Sequence, residues 1–285
     1  MLRVAIATFT LILSACLASA QVPADSRMKR ISDTKTVKLA YRASATPFSF
    51  MAADSKEPVG YTIDLCKAAV EAIGKTLGAP LKIEWVEVNT QNRFSMVAEG
   101  KADMECASST ITLSRMKEVD FSNIIFTEST GIIVQKASGI QKATDLDGKK
   151  LAVVSNTSNE RAVADLIKQG AMKAILVPVK DREAGIAALE AGEVQGYASD
   201  KLLLVGARFK DAGAIAMLPD DLSLEPYGIV LPRGDWALRL AVNSALADVY
   251  RSGQIANVFG RWFNQIGLKP GPLLLSAFSL GALPQ

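Results

Sequence analysis

Between Ala102 and Val134 the chain reads ADMECASSTITLSRMKEVDFSNIIFTESTGIIV, and this order of residue types restricts the folds open to it. A strand-like run from Ala102 to Ser108 ends in hydroxyl-bearing residues, Ser108, Ser109, Thr110 and Thr112, and Arg115 stands five residues after Thr110. Hydroxyls and free N–H groups at a strand end make a polar nest, and a guanidinium one helical turn further on closes over a carboxylate with two parallel hydrogen bonds. The stretch is therefore expected to seat an anion. Asp120-Phe121-Ser122 is expected to end the helical turn carrying Arg115, after which an extended run, Ile124 to Thr127, leads into a β-branched one, Thr130 to Val134. Such a segment suits passage from one lobe to another.

A chain of 285 residues is too long for one small core and suits two domains of ordinary size. Its 49% hydrophobic and 21% charged content are those of a globular chain. The formal charge is +3, and Arg3 is the only charged residue among the first twenty, so removal of that segment leaves 3 − 1 = +2. No cluster of Lys and Arg interleaved with aromatics marks a nucleic-acid partner. The absence of histidine excludes His-based triads, His metal sites and a histidine proton shuttle. No metal and no cofactor is expected.

Residues 1–20 read as an export signal: a basic start, an apolar core from Val4 to Leu13, and Ala18-Ser19-Ala20 as a small-residue cleavage site. That core is too short for a permanent membrane span. Leu13-Ser14-Ala15-Cys16 also resembles a lipobox, which would anchor the chain as a lipoprotein at Cys16. Either way the mature protein is expected beyond the inner membrane. Two other cysteines remain, Cys66 and Cys106, and thiols in an oxidising compartment usually pair. A disulfide is expected, with two buried free thiols as the alternative.

In chain order, a polar leader to Thr36 precedes a short strand, Val37 to Ala40, whose C-terminal loop carries Arg42 and Pro47-Phe48. Ile63, Cys66, Val70, Ile73 and Leu77 form one apolar stripe of a helix that Gly78 ends. A strand from Leu81 to Val88 ends at Asn89-Thr90-Gln91-Asn92-Arg93, with Thr90 expected to cap a helix running to Glu99. Asp145-Leu146-Asp147-Gly148-Lys149 precedes a buried strand, whose polar loop through Asn156, Thr157 and Ser158 opens the next helix. Free N–H groups there favour an anion. A strand from Ile175 to Val179 leads to Arg182, a strand from Val194 to Ala198 presents Ser199-Asp200, and Glu225-Pro226-Tyr227-Gly228-Ile229 starts a return crossing. Two helices follow, with Leu238, Val242, Ala245, Leu246 and Val249, then Ile255, Val258, Phe259, Trp262 and Phe263, facing inward. The tail from Lys269 to Gln285 shows no clear period.

The string S-S-T-x-T-x-x-R followed by D-F-S, the Pro-Phe pair, D-L-x-G-K and Y-G-I resemble the periplasmic solute-binding proteins that serve amino-acid ABC importers. Within that family the T-x-N-R string is most similar to the glutamate/aspartate binders. The resemblance runs from about Val37 to Phe263. It implies an α/β, two-lobe periplasmic binding protein fold of type II, each lobe a mixed sheet flanked by helices, joined by two hinge crossings. Lobe 1 is expected over residues 31–128 and 228–285, and lobe 2 over 129–227. The function implied is capture of an acidic amino acid, L-glutamate or L-aspartate, between the lobes of a monomer, and its delivery to an ABC permease in the inner membrane.

The resemblance also implies a ligand set. Arg115 with Thr110, Thr157 and Ser158 would hold the α-carboxylate, Asp200 with Ser108 the α-ammonium, and Arg42, Thr90, Arg93 and Arg182 the distal carboxylate. Three departures stand out: Asn156 replaces a glycine, Arg182 replaces a histidine, and Gln195-Gly196 replaces an Asp-Ala pair at the start of the run that ends in Asp200. Three alternatives stay open: another amino acid or a dicarboxylate as ligand, an exported dehydratase such as cyclohexadienyl dehydratase on the same fold, or a binding domain of a signalling complex. For the enzyme, only Asp200 and Glu105 offer an acid or base, and Glu105 reads as a strand residue.

Overall fold

The computed structural model describes residues 23–284; the expected signal segment, its cleavage site and the lipobox at Cys16 lie outside them. The polar leader forms a helix, α1 (Arg27–Thr34), capped by the Ser26 hydroxyl, which accepts from the Met28 N–H. Met28 and Ile31 are its buried face, so a mostly polar segment docks through two side chains. After α1 come β1 (Thr36–Tyr41) and a two-residue ladder of β2 (Ser44–Ala45) with β3 (Ser49–Phe50). The helix α2 (Tyr61–Thr76) buries Ile63, Cys66, Val70 and Ile73 as its period requires, with Leu77 half-buried beyond its end. Gly60 precedes it at φ +142°, and a Cβ there would lie 2.2 Å from the Phe48 carbonyl oxygen, so only glycine fits.

The strand β4 (Lys82–Glu87) leads to α3 (Arg93–Ala98). Thr90 does not cap this helix: Asn92 stands at the N-cap, and the Asn89 side chain accepts from the Gln91 and Asn92 N–H groups. Asn89 reaches these donors because the chain turns once more before the helix begins. The expected strand from Ala102 narrows to β5 (Met104–Glu105), and Asp120-Phe121 belong to β6 (Val119–Phe121) instead of ending a helix. Cys66 and Cys106 form a disulfide, with Cα atoms 6.3 Å apart, tying α2 to the end of β5.

The crossing is β7 (Phe126–Glu128) followed by β8 (Thr130–Gln135). Next come β9 (Lys150–Val154), α4 (Ser158–Lys168), β10 (Ile175–Val179), α5 (Arg182–Glu190), β11 (Gly196–Asp200), α6 (Lys201–Val205) and β12 (Ile215–Met217). The return is β13 (Glu225–Tyr227), followed by β14 (Val230–Pro232), α7 (Trp236–Arg251), α8 (Gln254–Phe263) and, in the aperiodic tail, α9 (Pro272–Gly281). Leu274 and Phe278 of α9 are buried, and the Phe278 ring meets Tyr250 of α7 at 5.1 Å.

Two five-stranded sheets result, in the orders β4-β1-β5-β14-β6 and β10-β9-β11-β8-β12, and β7 pairs with β13 between them. Each sheet belongs to one lobe of a mixed α/β, two-lobed molecule. In the first, β1, β4 and β5 are parallel, with α3 on one face and α2, α7 and α8 on the other. In the second, β9, β10 and β11 are parallel. Beneath the crossings, Phe48, Tyr61, Phe126, Tyr227, Phe259 and Phe263 make edge-on and tilted ring contacts 4.6–6.4 Å apart. Burial of each such phenylalanine contributes about 1.5–3 kcal/mol. This cluster fastens both crossing strands to the first lobe.

Candidate functional site

Every candidate residue hangs on the carboxyl end of a parallel strand or in the loop that follows it. Arg42 follows β1, Thr90 and Arg93 follow β4, and Ser108 and Thr110 follow β5; opposite them Thr157 and Ser158 follow β9, Arg182 follows β10, and Asp200 closes β11. Open α/β sheets bind ligands at this edge because loops and helix N-termini converge there. Nine of the ten expected residues line one cleft between the lobes, together with Val154, Asn159, Tyr197, Ser199 and Leu203. Arg115 does not line it and lies on an adjoining rim with Phe94, Asn156, Thr157 and Ser158.

The lobes meet across this cleft. The Thr110 and Ser158 hydroxyls are 3.1 Å apart, and Gln91 Nε2 donates to the Lys180 carbonyl at 2.9 Å. Arg182 donates to the Ser44 carbonyl of the first lobe and, at 2.8 Å, to the Leu203 carbonyl of its own. Part of its fork is thus committed to backbone.

The cationic wall is built on the first lobe. Arg93, the first residue of α3, is 3% exposed, and its Nε has no hydrogen-bond partner. Burial, then the neighbouring Arg42 and Arg115, push its pKa down to about 9, while Glu105 and Asp200 support its charge. Arg42 donates from Nη1 to Ser108 Oγ at 3.3 Å. Arg115 donates to the Thr110 carbonyl at 2.7 Å and lies over the Phe94 ring at 4.9 Å; this fixes its fork beside the hydroxyl nest.

The second lobe supplies an acid and a helix start. Asp200 is 5% exposed; burial and then Glu225 push its pKa up to about 6, partly offset by Asn159 Nδ2, which donates to it at 2.9 Å. The same amide donates to Thr130 Oγ1 at 2.8 Å, and Ser223 Oγ lies 2.7 Å from Thr130 Oγ1 and 2.6 Å from Glu225. Glu128 stands opposite Glu225 in the β7–β13 ladder, and burial and Asp200 raise its pKa to about 8. Thr157 caps α4, its hydroxyl accepting from the Glu160 N–H at 3.1 Å and donating to the Val154 carbonyl at 2.7 Å. What remains to an anion at this end is the Ser158 hydroxyl and the free N–H groups. Asn156 adopts φ +62°, the left-handed conformation expected where it replaces glycine.

Among the described residues no group of three or more His, Cys, Asp or Glu side chains is placed to hold a metal ion. The chemistry available is recognition of a small molecule carrying both charges. A match to the family model for bacterial extracellular solute-binding proteins, family 3, covers residues 37–265. The chain belongs to this family. It is 33% identical over 275 residues to the L-glutamate/L-aspartate-binding protein of Pseudomonas aeruginosa, covering 93% of this chain and 89% of that one. It is 30% identical over 270 residues to the glutamate/aspartate import solute-binding protein of Escherichia coli, covering 91% and 87%. In structure it is similar to an ancestral arginine-binding protein bound to glutamine, with TM-score 0.70 and 26% identity over 80% of this chain and 98% of that one. These relatives are transport and binding proteins, and the type II two-lobe fold is theirs. Among the described residues no helix is long and apolar enough to cross a membrane.

Sequence reading missed Asn159, Tyr197 and Ser199. Ser199 and Tyr197 had a visible signal, polar groups in a strand otherwise buried, and Asn159 follows the Thr-Ser pair directly.

Proposed function

We propose that the cleft captures an acidic amino acid, L-glutamate or L-aspartate, and hands it to a membrane permease as the binding component of an ABC importer. The carrying observation is the charge distribution: Arg42, Arg93 and Arg182 line one cleft with a single facing carboxylate, Asp200. A zwitterion with a second carboxylate supplies the missing counter-charges. Arg115, behind the Thr110–Ser158 contact, closes over the α-carboxylate, Asp200 accepts from the α-ammonium, and Arg42 and Arg93 take the distal carboxylate with the Thr90 hydroxyl, which capping does not occupy. Ligand contacts to both lobes favour the closed arrangement over the open one, and the permease reads that difference. In this reading lobe 1 comprises residues 31–128 and 228–285 and lobe 2 residues 129–227, and the chain works as a monomer exported by its leader.

Calorimetric titration of unfolded-and-refolded mature protein, cleared of carried-over ligand, tests this with L-glutamate, L-aspartate, L-glutamine and succinate. Tight binding of the acidic amino acids supports the assignment. Binding of succinate but of neither amino acid would remove Asp200 from its role and make the ligand a dicarboxylate.

A further inference from the structure

Glu105 has no place in the ligand set and does not line the cleft, yet it is a fully buried carboxylate in the first lobe, which carries the cationic wall. It lies on β5, opposite Ala40 of β1 and Val230 of β14. Ladder partners share a sheet face, and Ala40 and Val230 belong to the apolar layer of Val88, Val97, Ala102, Val119 and Phe121 that α3 covers. The Glu105 carboxylate therefore enters an apolar layer beneath the helix that begins with Arg93. It is 0% exposed; neither oxygen has a hydrogen-bond partner, and the Ser109 hydroxyl approaches it without completing a bond. A carboxylate so placed is costly unless a charge compensates it. Burial raises its pKa above the ordinary carboxylate value, and the charges that oppose this are arginines: Arg93 foremost, then Arg42 and Arg115.

We propose that Glu105 is a specificity-setting positioning residue: acting through the arginine cluster of Arg93, Arg42 and Arg115, it partly neutralises their charge and sets how strongly the cleft prefers an acidic side chain over its amide. This rests on the reading of the cleft as an acidic amino-acid site. With Glu105 present, the charge of Arg93 is partly offset before ligand arrives, without an ion-pair contact. Without it, the arginines lack a counter-charge until a distal carboxylate enters, so that carboxylate gains value and an uncharged amide does not.

The test compares L-glutamate with L-glutamine, which match in shape and differ in distal charge, by calorimetric titration of the mature protein and its E105Q variant. E105Q is expected to widen the glutamate-over-glutamine affinity ratio by about tenfold, the effect of removing one charge within reach of the site in a partly desolvated cleft. E105D, which keeps the charge, is expected to restore the original ratio. A merely structural role would weaken both ligands alike, and an unchanged or narrower ratio in E105Q overturns the proposal. If E105Q does not fold, R93M and R93M/E105Q replace it, and loss of Glu105 in that background must widen the ratio as well. Wild-type protein that binds neither ligand would instead remove the acidic amino-acid reading itself.

Discussion

The two walls of the cleft are built on different terms. On the first lobe, charge stands with few partners: Arg93 Nε and both Glu105 oxygens have none, and Arg42 spends one bond on a serine. On the second lobe the acid and the helix start are already joined, although the Tyr197 hydroxyl has no partner: Thr157 caps a helix, Asn159 links Asp200 to Thr130, and Ser223 extends the chain to Glu225. The difference teaches where discrimination resides. A wall of undercompensated charge responds to what the ligand brings, whereas a wired wall holds one fixed group in place.

The sharpest way to break this contrast is to remove one charge from each side of the ligand. Arg115→Ala is expected to abolish binding of every amino acid, costing about 2–5 kcal/mol, the usual result of leaving a buried charge unpaired. Arg42→Ala or Arg93→Ala is expected to lose acidic ligands selectively and retain weak binding of amides. Titration of each variant with glutamate and glutamine decides the matter, and an equal loss for both ligands would refute the division of labour.

A pH series probes the wired wall next. With Asp200 held up to about 6, a proton competes with the ligand ammonium for the same carboxylate. Affinity is expected to be level above pH 7 and, below about 6, to fall by roughly tenfold per pH unit as Asp200 protonates. Constant affinity down to pH 5 would show that Asp200 does not receive the ammonium.

The smallest effect belongs to the hinge. Glu128 rises from an ordinary value of 4.5 to about 8, so the native state holds its proton more tightly than the unfolded chain does. Stability of the ligand-free protein must therefore fall through this group as pH rises from 4.5 to 8. Glu128→Gln lacks that slope, and thermal or urea unfolding is expected to show it more stable than wild type at pH 8 by on the order of 1–3 kcal/mol, with the two similar near pH 4.5. A constant difference across the range would place the effect elsewhere.

Much of this was readable in the sequence because it rests on local order. The stripe of α2, the strand ends carrying Arg42, Ser108 and Asp200, and the Thr-Ser start of α4 are each set by periodicity or by a cap within a few residues. What was not readable depends on contacts made at a distance. Thr90 stands where a cap would, and only the extra turn, held by the Asn89 side chain, moves the N-cap on to Asn92. The leader and the tail lack a helical signal of their own strength; α1 and α9 form where Ile31 and Phe278 find a core to enter. Glu105 reads as one polar residue in a strand, and its meaning comes from Arg93 on a helix that only the fold lays over it.

One consequence of the ladder between β7 and β13 concerns assembly. Glu128 and Glu225 are direct partners in it, so the chain leaves the first lobe and re-enters it at adjacent points. In chain terms the second lobe is an insert whose two ends are already side by side. The entropy of closing so long a loop grows only slowly with its length, so an insert of another size costs the host lobe little. The natural graft points for exchanging one receptor wall for another are therefore these paired residues, which leave the Arg42 and Arg93 wall, the disulfide and the aromatic cluster in the host.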